Sequence, residues 1–203
     1  MQTKKFSGIL VIGATGSGKT PFGDLCEKKG VWGKTCIHFD FGSELRRIAA
    51  SRELPNRIKE KDLEVIFHVL ETGKLLENEN FHIAEKILVS FIERKRLPGD
   101  GFILLNGLPR HIGQAGDIDR IVDIRKIIHL ECSAEVVYER IFRNSGGDRA
   151  QRCDDSPAEI QNKLELFKKR TLPLLDYYQK KGAEIKIMPV GMGHTAEDIC
   201  ACL

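Results

Sequence analysis

The sequence predicts an α/β fold in three layers, with a five-stranded parallel sheet between two sets of helices. Two observations carry this. Short apolar runs alternate with longer amphipathic ones along most of the chain, and a glycine-rich loop motif follows the first apolar run directly. The 203 residues correspond to about 1.4 average domains, so one core carrying small insertions is expected.

The strands are expected at Phe6–Ile12, Thr35–Phe39, Gly101–Leu105, Lys126–Leu130 and Ala183–Met188. Ser133 stands as the N-cap of a helix over Glu135–Arg143, and Ser156-Pro157-Ala158-Glu159 combines a capping box with proline at the first helical position. Ile160, Leu164 and Phe167 then recur at helical spacing up to a kink at Pro173. Two segments break the alternation. Residues 41–78 carry a helical face of Ile58, Leu63, Ile66, Phe67 and Leu70 but no strand pattern, which marks a helical insertion. Residues 143–155 are polar, glycine-containing and rich in charge, which marks a loop and candidate lid. The core is then 1–40, 79–142 and 156–203.

Hydrophobic residues at 41% and charged residues at 30% exclude disordered and fibrous classes. A net charge of +3 is too small a bias to argue for nucleic acid. No apolar run approaches the ~18 residues of a membrane span, and the run Ile9–Ile12 ends at Gly13, so neither a membrane partner nor a secretory signal is expected. Cysteines at 26, 36, 132, 153, 200 and 202 show no CxxC spacing and read as reduced thiols of a cytoplasmic protein. A monomer is expected.

The strongest motif is Gly13-Ala14-Thr15-Gly16-Ser17-Gly18-Lys19-Thr20, which satisfies GxxxxGK[ST] between a strand and a helical run. Glycines let such a backbone curl until its N–H groups point at phosphate oxygens, and the following helix N-terminus adds a favourable dipole. Lys19 is placed to neutralise the β- and γ-phosphates, and the Thr20 hydroxyl to ligate Mg²⁺. Gly13, Thr15, Gly16, Ser17 and Gly18 complete the ATP-binding candidates. A guanine-specific switch would carry Asn-Lys-x-Asp. The nearest match, Asn162-Lys163-Leu164-Glu165, lies mid-helix and ends in the wrong acid, which disfavours a GTPase.

A kinase also needs an acceptor pocket. After the third strand, Gly107-Leu108-Pro109-Arg110 turns the chain beside an arginine, and ligands of open α/β sheets bind at the carboxyl ends of strands. Arg110 is therefore placed to meet an anion, as is Arg46 after the second strand. For each, a solvated helix face is the competing reading.

Five ordered stretches resemble the landmarks of adenylate kinases and the wider nucleoside monophosphate kinases: Gly13–Thr20, His38–Arg46, Leu105–Gln114, Arg152–Asp155 and Thr171–Tyr178. The similarity runs from residue 6 to about residue 200. It implies a P-loop NTPase core with an acceptor-nucleotide insertion at about 41–78 and a short lid at about 143–155. It further implies ATP as donor, Mg²⁺ as cofactor and a nucleoside monophosphate, AMP first, as acceptor. By matching position, Arg46, Arg110 and Lys163 would grip the acceptor phosphate, with Phe41, Gly42 and Gly107 beside the acceptor and Gln114 on its base. Arg140, Arg143 and Arg152 would close over the ATP phosphates and the moving phosphoryl group. Asp154 and Asp155 match acids that hold the lid closed, or form an Asx turn leading into Ser156. A lid with Cys153 alone excludes a four-ligand zinc lid, and no structural metal is expected.

Four positions depart from the family pattern. Asn106 stands where an aspartate usually holds Mg²⁺-bound water, which removes one charge. Lys163 replaces an arginine, keeping the charge but losing the bidentate fork. Phe41 replaces a small threonine, so the acceptor pocket is expected to change shape. The loop continues Gly18-Lys19-Thr20-Pro21-Phe22-Gly23 in place of Gly-Lys-Gly-Thr. Two other readings stay open: a P-loop kinase for a small non-nucleotide acceptor, and a nucleotide-binding sensor without catalysis.

Overall fold

The computed structural model describes residues 5–51, 58–147 and 156–203. In chain order its elements are β1 (Phe6–Gly13), α1 (Lys19–Lys29), β2 (Cys36–Asp40), α2 (Phe41–Ser51), α3 (Glu60–Thr72), α4 (Phe81–Lys95), β3 (Phe102–Asn106) and α5 (Ile112–Ile118). They continue as β4 (Val122–Glu131), α6 (Ala134–Phe142), α7 (Pro157–Leu166), α8 (Leu174–Lys180), β5 (Glu184–Pro189) and α9 (Ala196–Ala201). The sheet is parallel in the order β2-β3-β1-β4-β5. Among the described residues no helix is long and apolar enough to cross a membrane.

The period of two along β1 builds the three layers. Leu10 and Ile12 join Phe39, Phe91, Ile103 and Leu105 in one core, whereas Ile9 and Val11 join Phe22, Cys26, Leu104 and Leu130 in the other. A third cluster of Ala14, Val137, Ile141, Ile160 and Leu164 packs α6 and α7 onto the start of the glycine-rich loop. All five expected strands are present. β2 runs one residue later than expected and so ends on Asp40, which proves important for the site.

The caps form as read from sequence. Ser133 accepts from the Val136 N–H, and Ser156 and Glu159 close a reciprocal capping box. The bend before Pro173 is a π-type turn over Phe167–Thr171, in which the Leu172 N–H reaches back five residues to the Phe167 carbonyl. The described part of 41–78 carries the helices α2 and α3 and no strand. Ile58 and Ile66 are buried as expected, but Phe67 is 48% exposed, because one residue further along a helix is a turn of about 100°.

Asp62 ties this insertion to the core. Its carboxylate is 3.0 Å from the Lys59 N–H, 3.1 Å from His82 Nε2 and 3.1 Å from Lys86 Nζ, which joins the start of α3 to α4. Burial alone would raise its pKa, but these bonds prevail and lower it to about 2. A carboxylate with a depressed pKa contributes stability above its unfolded value and loses it as pH falls through the folded value. Asp62→Asn should therefore cost roughly 2 kcal/mol at neutral pH and nearly nothing at about pH 2. Urea denaturation across that range checks this, and a pH-independent difference would contradict it.

Candidate active site

The glycine-rich loop leaves the carboxyl end of β1 and wraps over the start of α1. Gly16 and Gly18 take φ of 75° and 92°, a region costly for any residue with a Cβ. A Cβ at Gly16 would also lie 2.7 Å from Ile141 Cγ1, and one at Gly18 would lie 3.1 Å from Arg140 Nη2. Lys19 folds across the loop and donates from Nζ to the Gly13 and Ala14 carbonyls at 2.8 and 2.7 Å. Gly13, Thr15, Gly16, Gly18, Lys19 and Thr20 line a deep cleft. Ser17 is fully buried beneath the loop and does not face it.

The opposite wall carries Gly42, Arg46, Gly107, Arg110 and Lys163. Arg110 has a pinned backbone: its N–H donates to Gln114 Oε1 at 2.8 Å, and its carbonyl accepts from Thr171 Oγ1 at 2.8 Å. The Arg110 side chain is exposed to solvent at the cleft, within electrostatic reach of the Asp40 carboxylate, which favours its charged form. Lys74, which the sequence reading missed, reaches the cleft from just beyond α3. Lys19, Arg46, Lys74, Arg110 and Lys163 thus face one space, with Asp40 the sole acid among the described residues that line it. Such a field suits polyanions.

Besides Ser17, four expected site residues stand elsewhere. Phe41 is 3% exposed and packs into the core near Phe39, because the turn from β2 into α2 points it inward, and it is not among the residues that line the cleft. Gln114 is 1% exposed, and its amide bridges the Arg110 N–H and the Leu76 carbonyl, so in this structure it braces the wall rather than lining it. Arg140 is 4% exposed and is held by the carbonyls of Gly16 at 3.1 Å, Gly191 at 2.9 Å and His194 at 2.8 Å. Its contact with the site is the bond to the Gly16 carbonyl, which clamps the loop. Arg143 lies outside the cleft and forms a surface ion pair with Glu139 at 3.0 Å. Arg152, Cys153, Asp154 and Asp155 lie outside the described residues.

Asp40 is the second residue the sequence reading missed. Its Oδ2 accepts from Thr20 Oγ1 at 2.6 Å and Asn106 Nδ2 at 2.8 Å, and its Oδ1 accepts from the Ser43 N–H at 2.9 Å. Burial pushes its pKa up, but the bonds from Thr20 and the Ser43 N–H and the nearby Arg46 guanidinium outweigh burial and lower it. An acid ending a strand beside the loop threonine was the available signal, and the absence of a charge at Asn106 made it worth seeking.

The comparisons agree with this geometry. The adenylate kinase family model matches residues 11–183. An adenylate kinase of Stenotrophomonas maltophilia (strain R551-3) is 29% identical over 194 residues, which cover 90% of this chain and 91% of the relative. Those of Synechococcus sp. (strain WH7803) and Nautilia profundicola are 30% and 28% identical over 189 and 186 residues, covering 88% of this chain in each case and 88% and 86% of the relatives. Because the match spans the glycine-rich loop, both cationic walls and Lys163, on a parallel sheet ordered 2-3-1-4-5, the chain belongs to the adenylate kinase family of phosphotransferases.

Proposed function

We propose that this protein transfers the γ-phosphate of ATP to a nucleoside monophosphate, with AMP the preferred acceptor. The observation that carries the reading is one cleft lined by a phosphate loop and by four further cations, Arg46, Lys74, Arg110 and Lys163. The loop suits the donor phosphates, and the further cations suit an acceptor phosphate. Transfer between them spreads charge over equatorial oxygens, and guanidinium and ammonium groups stabilise that charge most strongly where water is excluded. The proposed moving parts are the insertion at about 41–78 and the lid at about 143–155, whose closure would exclude that water.

AMP is favoured by the relatives, which are named adenylate kinases, and by Gln114. After bonding Arg110 and Leu76, its amide keeps one N–H and one lone pair, a set complementary to an adenine edge. Base contact requires the Leu76 segment to shift, since Gln114 is buried. Mg²⁺ is the proposed cofactor. The Thr20 hydroxyl and the Asp40 carboxylate are hard oxygen groups that line the cleft beside the phosphate loop. That pattern fits a cation held mainly by phosphates and water with one or two protein oxygens. When bound, it neutralises phosphate charge. The residues that line the cleft come from one chain, so a monomer suffices, and a cytoplasmic site of action is proposed with it.

A panel of nucleoside monophosphates with ATP and Mg²⁺ tests this, with AMP expected to turn over fastest. Lys19→Ala should lower kcat by on the order of 10²–10³-fold; turnover of no acceptor above that control would sink the enzyme reading. Lys163→Arg should keep or improve kcat/KM for AMP, whereas Lys163→Ala should cost about 1–3 kcal/mol in it. Equal values for both variants and the wild type would show a lysine that does not reach the acceptor phosphate.

A further inference from the structure

We infer that Asp40 supplies, from the neighbouring strand, the metal-supporting charge that Asn106 lacks, and that it positions the Thr20 hydroxyl toward the nucleotide-bound cation. This assignment rests on the reading of the cleft as an ATP site. Asp40 and Asn106 stand in register at the carboxyl ends of β2 and β3. Thr20 Oγ1 donates to Asp40 Oδ2 at 2.6 Å. A hydroxyl whose proton is committed to a carboxylate presents its lone pairs away from it, as a ligand to a hard cation must. Both residues line the cleft, so the carboxylate's charge also reaches the phosphate side.

Asn106 fits this role for Asp40. Its Nδ2 lies 2.8 Å from Asp40 Oδ2 and 3.5 Å from His38 Nε2. His38 Nδ1 lies 2.9 Å from Asp24 Oδ1, which assigns the ring proton to Nδ1 and leaves Nε2 an acceptor. An amide donates to both neighbours, whereas an ionised aspartate at 106 would set two negative groups against each other. The ring of His38 in turn needs Gly23, where a Cβ would lie 2.3 Å from Nε2. The loop sequence Thr20-Pro21-Phe22-Gly23, His38, Asp40 and Asn106 therefore form one connected arrangement.

The plainer role for Asp40 is to cap α2 through its 2.9 Å bond from the Ser43 N–H. Asparagine caps a helix as well as aspartate does, so Asp40→Asn keeps the cap and removes the charge. The full chain is titrated calorimetrically with the β,γ-imido analogue of ATP, in Mg²⁺ and in EDTA, and the two dissociation constants are compared. In the wild type Mg²⁺ should tighten binding. Asp40→Asn should reduce that gain by about 10-fold or more while leaving metal-free binding equal or tighter, since a negative group facing the phosphates is gone. Adding Asn106→Asp to Asp40→Asn returns the charge to the other strand and should restore the gain. A wild-type gain retained in Asp40→Asn overturns the assignment, as does loss of affinity equally with and without Mg²⁺, or a double variant that stays at the single variant's level. Wild-type protein that binds the analogue in neither condition overturns the ATP reading itself, and this assignment with it.

Discussion

The pairing of β1 on both edges is the constraint on which the site depends. It bonds to β3 over Ser7–Val11 and to β4 over Phe6–Gly13, and it is buried on both faces from Gly8 onward. A slip of one residue would exchange Leu10 and Ile12 with Ile9 and Val11 between two different cores. Gly13 is thereby held in place, and with it the point where the loop begins. Arg140 completes the fixation by joining the Gly16 carbonyl to those of Gly191 and His194, residues far apart in sequence. The donor side is preorganised before any nucleotide arrives, which is where electrostatic stabilisation costs least at the moment of reaction.

The acceptor side is built differently. Arg110 is held through its backbone by Gln114 and Thr171, but Arg46 comes from α2, Lys163 from α7 and Lys74 from the turn after α3. Five cations around one space repel one another. Phosphate groups would offset that repulsion.

What the sequence made legible was local. Strand positions, the Ser133 and Ser156 caps and the loop motif depend on neighbours within a few residues, and all appear in the structure. What it hid was direction and distant partnership. Phe41 and Arg46 sit five residues apart, yet one turns into the core and the other into the cleft. Arg140 matches a family position for ATP contact, but its carbonyl partners lie 124, 51 and 54 residues away and leave it inside the protein. Gln114 reads from sequence as a base-binding amide, and its bonds to Arg110 and Leu76 give it a bracing role that the sequence did not show. In each case side-chain chemistry was evident, and the backbone geometry that aims it was not.

The departures from the family pattern look separate in sequence and are coupled in space. Asp40 and Asn106 approach to 2.8 Å; two full negative charges at that separation would repel by between about 1.5 and 6 kcal/mol for effective dielectrics of 80 to 20. One acid is tolerated at the two strand ends, and a second would have to bind a proton. Loss of the aspartate at 106 is therefore a condition for Asp40 rather than a simple deficit. The moved charge also has new neighbours, since Asp40 lies within electrostatic reach of both Arg46 and Arg110. An acceptor phosphate must draw those guanidiniums out of the field of Asp40. The same carboxylate that supports the donor's cation thus competes with the acceptor for its arginines, and the two halves of the cleft share one charge.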